Sequence, residues 1–509
     1  MALFTPAERR FVEAASCLVY CNPFLPRRIE AEREALGADF VETGPVWNVF
    51  SDPETNRSNL MALRDRVEAL APVARERLAG GASAGEKELV LYEDLILYLL
   101  YYRTQEALRH GVVAGADGKR KQNFAGVYRA HADAAEQFLQ IPEVRLPTAY
   151  DATHLFACFF QMRRAFLLIF DQIVGRSIPM ARLRASVWQS IFTHDMRRYQ
   201  RIMHSRMGDF TTLIVGESGT GKELVAAAVA LSRYVPFDAR RGAFAEDYAN
   251  LFHPLNLSAL SPTLIESELF GHRRGAFTGA LEDRAGWLET CRPLGSVFLD
   301  EIGELDPQIQ VKLLRVLQAR TFQRLGDTQG RHFAGKIIAA THRDLAAEMR
   351  GGGFRQDFYY RLCSDIVTTP PLREQLAERP EDLHNMVAFL VRRIAGEEAS
   401  GLSDEVEEWI EGNLGRAYGW PGNFRELEQC VRNVIIRGEY RPSAAAPRSE
   451  AEALAGALGE GRLTAEEVVR RYCAAVYRQT GSYEETARRL GLDRRTVKAK
   501  VTANESEEA

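Results

Sequence analysis

Nothing in this chain of 509 residues is both long and apolar enough to span a bilayer. The most apolar stretch, His154 to Phe170, is cut by Arg163 and Arg164, and the opening MALFTPAERR has no apolar signal core. Its seven cysteines form no framework. Cys17 and Cys21 sit four apart without a second pair at metal spacing, and Cys158, Cys291, Cys363, Cys430 and Cys473 stand alone. That excludes a disulfide scaffold and favours a reducing compartment, so the expected location is cytoplasmic, with no membrane partner. A large excess of one charge is missing as well. The formal net charge is -4, so the molecule is not a basic nucleic-acid coat, and any DNA contact must be local. Internal repeats are absent.

What is present is ordinary globular composition, 46% hydrophobic and 26% charged, in a chain long enough for roughly three domains. Residues 1–180 read as mostly helical: Leu91, Leu95, Tyr98 and Tyr102 recur at helical spacing, and Leu155 to Phe170 is an aromatic-rich helix whose Arg163–Arg164 pair is expected to reach solvent. Gly115 to Asn123 reads as a polar loop. After Pro179 short apolar runs alternate with helical segments. Thr211–Val215, Ser296–Leu299 and Lys336–Ala340 read as buried strands of a parallel sheet, giving an α/β core over 181–371. Helical patterning returns over 372–438. An Ala-, Pro-, Ser- and Glu-rich linker fills 439–460, and 461–509 is helical again. The chain is therefore read as multidomain.

Thr211–Val215 runs directly into Gly216-Glu217-Ser218-Gly219-Thr220-Gly221-Lys222-Glu223 and then a helix. This is GxxxxGK in its strand–loop–helix setting. Glycines let the backbone curl around a phosphate, the helix N-terminus adds partial positive charge, and Lys222 is placed for the β/γ-phosphates. Glu223 departs from the general pattern, which has Ser or Thr there as a magnesium ligand. Further on, Val297-Phe298-Leu299-Asp300-Glu301 is an apolar strand ending in two acids. Neighbours on a strand face opposite ways, so Asp300 is assigned to Mg²⁺ and Glu301 to the attacking water. Together these motifs predict a nucleotide hydrolase.

The sequence resembles the AAA+ bacterial enhancer-binding proteins, ATPases that activate the sigma-54 form of RNA polymerase. GESGTGKE matches that family's phosphate loop, glutamate included. So does Glu266-Ser-Glu-Leu-Phe-Gly-His272, followed by the hexapeptide Gly275-Ala276-Phe277-Thr278-Gly279-Ala280. Glycines and alanines there give a mobile loop with Phe277 as an exposed aromatic at its tip. The resemblance covers residues 185–437 densely and 461–502 loosely, but not the N-terminal third.

The resemblance implies a central α/β AAA+ P-loop ATPase with a helical lid, using ATP and Mg²⁺. Phe277 and Thr278 would engage sigma-54. Asn256 matches the polar residue that restrains Glu301. Thr341 and His342 match the first nucleotide sensor, where a histidine can still donate a hydrogen bond but changes charge near neutral pH. Arg355 and Arg361 are candidate arginine fingers for a neighbouring subunit's γ-phosphate, and Arg425, in Trp420-Pro421-Gly422-Asn423-Phe424-Arg425-Glu426-Leu427, matches the second sensor. Ile191 to Tyr199 would line the adenine pocket. Leu231 to Pro254 is longer than usual and reads as an extra surface loop. A shared site implies a hexameric ring, assembled from dimers that exist when it is inactive.

Between Arg488 and Lys500, six basic residues face one acid. Helix, turn at Gly491 and helix, with Asp493 as N-cap, resemble the Fis-type helix-turn-helix of the same family. Arg494, Arg495, Thr496 and Lys498 would then meet double-stranded DNA at an upstream enhancer site. The acidic tail Glu505 to Glu508 is expected to be disordered. The combined expectation is a sigma-54-dependent transcription activator that uses ATP hydrolysis to turn closed promoter complexes of the polymerase holoenzyme into open ones, regulated by residues 1–180. Two alternatives are an AAA+ ATPase remodelling another protein, and a DNA-bound regulator using nucleotide only as an assembly switch. A phospho-receiver input is excluded, because residues 1–180 lack strands ending in acids.

Overall fold

The computed structural model describes residues 2–44, 46, 53–115, 123–396, 401–442, 458 and 463–508. Most of the predicted loop Gly115–Asn123 and of the linker 439–460 lies outside them. The chain forms two compact units, Met1–Ile436 and Arg437–Ala509.

The first unit begins with helices α1 (Pro6–Tyr20), α2 (Arg27–Leu36), α3 (Pro53–Ala79), α4 (Glu86–Gly115), α5 (Ala125–Leu139), α6 (Ala152–Gln172) and α7 (Ile178–Phe192). Their starts follow local chemistry. Thr5 and Glu8 form a reciprocal capping box on α1, and the Asp151 carboxylate caps α6 through the Thr153 amide at 2.8 Å. Leu95 and Tyr98 of the predicted α4 stripe are buried.

Two expectations about this layer are overturned. Arg164 does not reach solvent: it is 1% exposed. Its guanidinium donates to the Arg233 carbonyl and lies 5.2 Å from the Phe160 ring and 4.7 Å from the Tyr248 ring. Burial lowers its pKa to about 10. An arginine in a helix is buried when backbone carbonyls and aromatic faces replace its water, and those partners come from residues far along the chain. Nor is Leu231–Pro254 merely a surface loop. Strands β2 (Phe237–Asp238) and β3 (Ala243–Phe244) make a small hairpin, and its side chains enter the helical core. Phe244 stacks on Phe160 at 4.0 Å, and Phe237 packs edge-on against Phe156 at 4.8 Å. The Phe124 amide donates to the Gly242 carbonyl at 2.8 Å and the Tyr248 hydroxyl to the Val112 carbonyl at 2.6 Å. One continuous core therefore joins the N-terminal helices to the segment after the phosphate-loop helix.

Next comes an all-parallel five-stranded sheet. Its order is Asp365–Thr368, β1 (Thr212–Val215), Lys336–Thr341, Ser296–Asp300 and β4 (Phe252–Asn256). Every residue of Lys336–Thr341 is buried. Such strands need cover on both faces: α7, the helix Lys222–Leu231 and α6 supply one side, and the helices Pro262–Phe270 and Pro307–Ala319 belong to the core on the other. The helical segments Leu372–Glu378, Asp382–Ala395, Leu402–Asn413 and Asn423–Arg437 form the lid.

The second unit contains Ala465–Thr480, Tyr483–Leu490 and Arg494–Glu508, closed on Cys473, Ala487, Val497 and Val501. Glu505–Glu508 continue the last helix, where disorder was expected; that helix starts after Asp493, which accepts from the Thr496 amide at 3.0 Å.

The segment before β1 is tied to the helical layer by a buried carboxylate. Asp94 on α4 accepts from Ser16 Oγ at 2.6 Å, from Tyr20 Oη at 2.8 Å, and from Arg197. Burial raises its pKa, against the pull of those donors. Replacing Arg197 with Met leaves that carboxylate short of its cation at a cost of about 1–3 kcal/mol. The thermal midpoint of the full chain should fall, and adding Asp94→Asn should recover part of the loss.

Candidate functional site

β1 ends at Val215 and the loop Gly216–Gly221 follows, with the helix starting at Lys222. Gly216, Gly219 and Gly221 have φ of +154°, +80° and +86°. Two of them are also sterically required. A Cβ on Gly216 would lie 2.0 Å from Thr369 Oγ1, and one on Gly219 would lie 2.3 Å from the Gly422 carbonyl oxygen. Thr220 Oγ1 donates to the Glu217 carbonyl at 2.8 Å and lies 2.7 Å from Thr369 Oγ1. The Lys222 ammonium bridges the Gly216 and Glu217 carbonyls at 2.9 and 3.0 Å. Burial lowers its pKa, opposed by Glu301 and Asp300 nearby. Glu223 is in the first turn of the helix, where a carboxylate complements the helix dipole.

Two strands away, Ser296–Asp300 delivers the acids. Burial raises the pKa of Asp300, and the neighbouring Glu301 charge raises it further. Glu301 leaves the strand in the left-handed region at φ 58°, a strained conformation for a residue with a side chain. That turn separates the two carboxylates.

Glu301 is held by the residue after the next strand. His342 Nδ1 lies 2.7 Å from Glu301 Oε2, and the His342 amide donates to the same oxygen at 3.3 Å. Thr341, buried at the strand end, accepts the Arg343 amide on Oγ1 at 3.0 Å. Asn256 is in register with Asp300, yet its carboxamide oxygen accepts from the Ser258 amide at 3.0 Å and from Ser258 Oγ at 2.8 Å. The structure thus brings His342 to Glu301 and turns Asn256 to its own following turn.

The lid closes the loop from the other side. Trp420 and Asn423 adopt φ of 46° and 54°. That curl points Asn423 inward: it accepts from the Leu372 amide at 2.7 Å and donates to the Ser218 carbonyl at 3.0 Å. The Phe424 amide donates to the Gly219 carbonyl at 3.1 Å, and Arg425 to Ser218 Oγ at 3.0 Å. Glu217 pairs with Arg373 at 2.5 Å, which lowers its pKa.

These parts enclose a cleft of about 420 Å³. Its polar end is Ser218–Glu223 with Asp300, Glu301 and Arg425. The apolar end is Ile173, Val174, Met180, Leu183, Phe389 and Leu390. A crowded glycine cradle and a buried lysine at one end, with an apolar slot at the other, fit a nucleotide.

The predicted residues are not all gathered there. Ile191 to Tyr199 does not line the cleft; Ile191, Phe192, Met196 and Tyr199 are buried in the core beneath the sheet, and the slot is made by the preceding α6–α7 connection. That connection gave no sequence signal, because apolar residues beside a helix look like ordinary core. Asn423 stood inside the quoted lid motif, and only its backbone angle reveals its task. Arg355 and Arg361 do not line this chain's own cleft. Arg355 pairs with Asp357 at 2.8 Å, and Arg361 is exposed in the last turn of the helix Gln356–Leu362.

The hexapeptide Gly275–Ala280 forms a tight projection. Gly275 and Gly279 have φ of +81° and +102°, and the Gly275 amide donates to the Ala280 carbonyl at 2.8 Å. Phe277 is half-buried instead of exposed, because its ring packs edge-on against His272 at 5.0 Å; Thr278 is exposed. In the second unit, Arg494, Arg495 and Lys498 are exposed on the last helix, with Arg494 3.1 Å from Glu484, while Thr496 is half-buried and donates to Asp493.

A parallel sheet carrying a phosphate loop, an acidic strand end and a helical lid defines the AAA+ P-loop fold. Residues 190–367 match the sigma-54 interaction domain family. That match falls on the segment that carries the GAFTGA hexapeptide, from which the resemblance was drawn. The transcriptional regulatory protein ZraR of Klebsiella oxytoca is 39% identical over 303 residues, covering 58% of this chain and 63% of that protein. The Nif-specific regulatory protein of Azotobacter vinelandii is 43% identical over 248 residues, covering 48% and 44%. The chain thus spans less than two thirds of the length of either relative. A crystal structure of NtrX from Brucella abortus in complex with ATP aligns at 24% identity and TM-score 0.39 over 74% of this chain and 80% of that one. Among the described residues, no helix is long and apolar enough to cross a membrane.

Loop and lid touch through a backbone that admits no side chain at residue 219. Gly219→Ala should separate them and weaken nucleotide binding at least tenfold with the overall fold retained, measured by titrating a fluorescent ATP analogue and by circular dichroism.

Proposed function

We propose that this chain is an ATP-hydrolysing transcription activator that remodels the sigma-54 RNA polymerase holoenzyme from closed to open promoter complexes. The observation that carries the reading is one cleft in which Ser218–Glu223, Asp300, Glu301 and the lid arginine Arg425 converge, in a chain that also presents Gly275–Ala280.

Lys222 and the loop amides hold the phosphates, with charge supplied by the helix N-terminus. Asp300 is the residue that would hold Mg²⁺, which supplies charge neutralisation at the β- and γ-phosphates. Glu301 accepts the proton of the attacking water, and its alternative partner, His342, determines when it is free to do so. Arg425 reports nucleotide to the lid through Ser218. Arg355 and Arg361 serve a neighbouring subunit's cleft, stabilising the charge that develops on the transferred phosphoryl group, which makes a hexamer the working form, with dimers at rest. Thr341 and His342 couple the state of the γ-phosphate to Glu301, with Asn256 on the neighbouring strand.

Phe277 and Thr278 form the contact with sigma-54. The cationic face of the last helix, with Arg494, Arg495, Thr496 and Lys498, binds duplex DNA upstream of the promoter; phosphate contacts position it there. The N-terminal helices regulate the ATPase through the shared core, and the protein works in the cytoplasm.

Glu301→Gln should lower ATP turnover about 100-fold or more while ATP binding persists, since a positioned base contributes about 10²–10⁴-fold. An unchanged rate would refute the assignment. Thr278→Ala should abolish sigma-54-dependent open-complex formation while ATPase rate and DNA binding remain near wild type. Promoter opening at the wild-type level would instead favour a different remodelling target.

A further inference from the structure

A second cavity of about 400 Å³ lies in the N-terminal helical layer, away from the phosphate loop. Its walls come from α1, α2, α3, α4, α6 and α7. Aromatic side chains dominate: Tyr98, Tyr101, Phe159, Phe166, Phe170 and Trp188. Tyr101 and Phe159 already meet edge-on at 5.5 Å, and Tyr98 and Tyr102 stack at 4.3 Å, so the ring faces are fixed before anything enters. A volume in the lower part of the range for small-molecule sites suits a flat ligand of one or two rings.

The polar groups decide the ligand's chemistry. Arg28 is engaged: its Nε is 2.7 Å from Glu32 Oε1, and its Nη2 is 3.2 Å from Tyr102 Oη. Arg109 has Glu106 at 3.9 Å. One buried polar atom of the lining residues, Arg163 Nε, has no hydrogen-bond partner among the described residues. The Tyr98 hydroxyl, by contrast, is engaged with Tyr102. A buried donor left unpaired is costly unless something else accepts from it. Nε can donate, and the Arg163 guanidinium lies 5.8 Å from the Phe166 ring. An acceptor oxygen beside an aromatic ring is therefore what the cavity lacks. Asp171 lines the same cavity, and burial raises its pKa against the pull of Arg109 and Arg163.

We propose that this cavity binds a small aromatic acid, its ring between Tyr101, Phe159, Phe166 and Trp188 and its carboxylate on Arg163. The site is placed to matter. Asp171 lines this cavity and the nucleotide cleft alike, and α6 runs from Phe159 and Arg163 to the residues Ile173 and Val174 of the adenine-side wall. A ligand that shifts the last turn of α6 changes nucleotide affinity, and by linkage nucleotide changes the affinity for the ligand equally. That consequence rests on the regulatory role given above to the N-terminal layer; binding itself does not.

The test is calorimetric titration of the full chain with benzoate, phenylacetate and indole-3-acetate, beside toluene and benzyltrimethylammonium as neutral and cationic counterparts. Saturable binding is expected from at least one acid, tenfold or more tighter than from its counterparts. Arg163→Met should weaken it at least tenfold. Leu60→Trp, which fills the cavity from another wall, should abolish it, with unchanged circular dichroism showing that both variants fold. No saturable binding of any acid at millimolar concentration, binding of toluene or the cation as tight as that of the acids, or wild-type affinity in Arg163→Met would each overturn the proposal. Repeating the titration with ATP present, and the ATPase assay with acid present, separates the site from its consequence. Acid binding that leaves ATP affinity and turnover unchanged supports the site and counts only against the regulatory reading.

Discussion

The aromatic interlock between α6 and the β2–β3 hairpin is the constraint on which this architecture depends. Phe156 and Phe160 of the helix meet Phe237 and Phe244 of the hairpin, and Arg164 is buried among the same elements, closing on the Arg233 carbonyl. Each aromatic pair contributes about 0.5–1.5 kcal/mol beyond its buried area, and the chain of them leaves no seam between the helical layer and the segment leaving the phosphate-loop helix. A charged guanidinium inside that shared core is tolerated because carbonyl and ring partners are already fixed around it. The helical layer and the segment after the phosphate-loop helix thus share one core.

The same helix explains how one cleft is made from remote pieces. The phosphate loop comes from one βα turn, the acids from another strand, the clamp at Asn423 from the lid, and the apolar slot from the turn after α6. Because α6 is anchored at its middle by aromatic contacts, its C-terminal turn sets the slot's position. Asp94, buried on α4 and bonded to Arg197, fixes the segment that enters β1 from the same layer. Glu301, at the cleft, and Trp420 and Asn423, in the lid turn that clamps it, all hold positive φ.

Local chemistry made much of this legible beforehand. A GxxxxGK loop between a strand and a helix has few other uses, and an apolar strand ending in two acids complements it. Strands over Thr212–Val215, Ser296–Asp300 and Lys336–Thr341 were visible as short apolar runs because a parallel sheet buries both faces. Arg164, Phe277 and Ile191–Tyr199 were misread for a common reason. Each owes its environment to a partner distant in sequence: Arg233 and Tyr248 for the arginine, His272 with its strand for the phenylalanine, and the underside of the sheet for the third segment.

The sequence by itself determined which residues can bind phosphate, carry acid or offer positive charge, since side-chain chemistry and backbone permissiveness at glycine are local properties. Tertiary structure alone decided that His342 and not Asn256 holds Glu301, that an apparent surface loop is the dock of the helical layer, and that two cavities share the end of one helix. Those outcomes depend on which distant groups arrive at the same place with their hydrogen bonds unsatisfied, and no window along the chain contains that information.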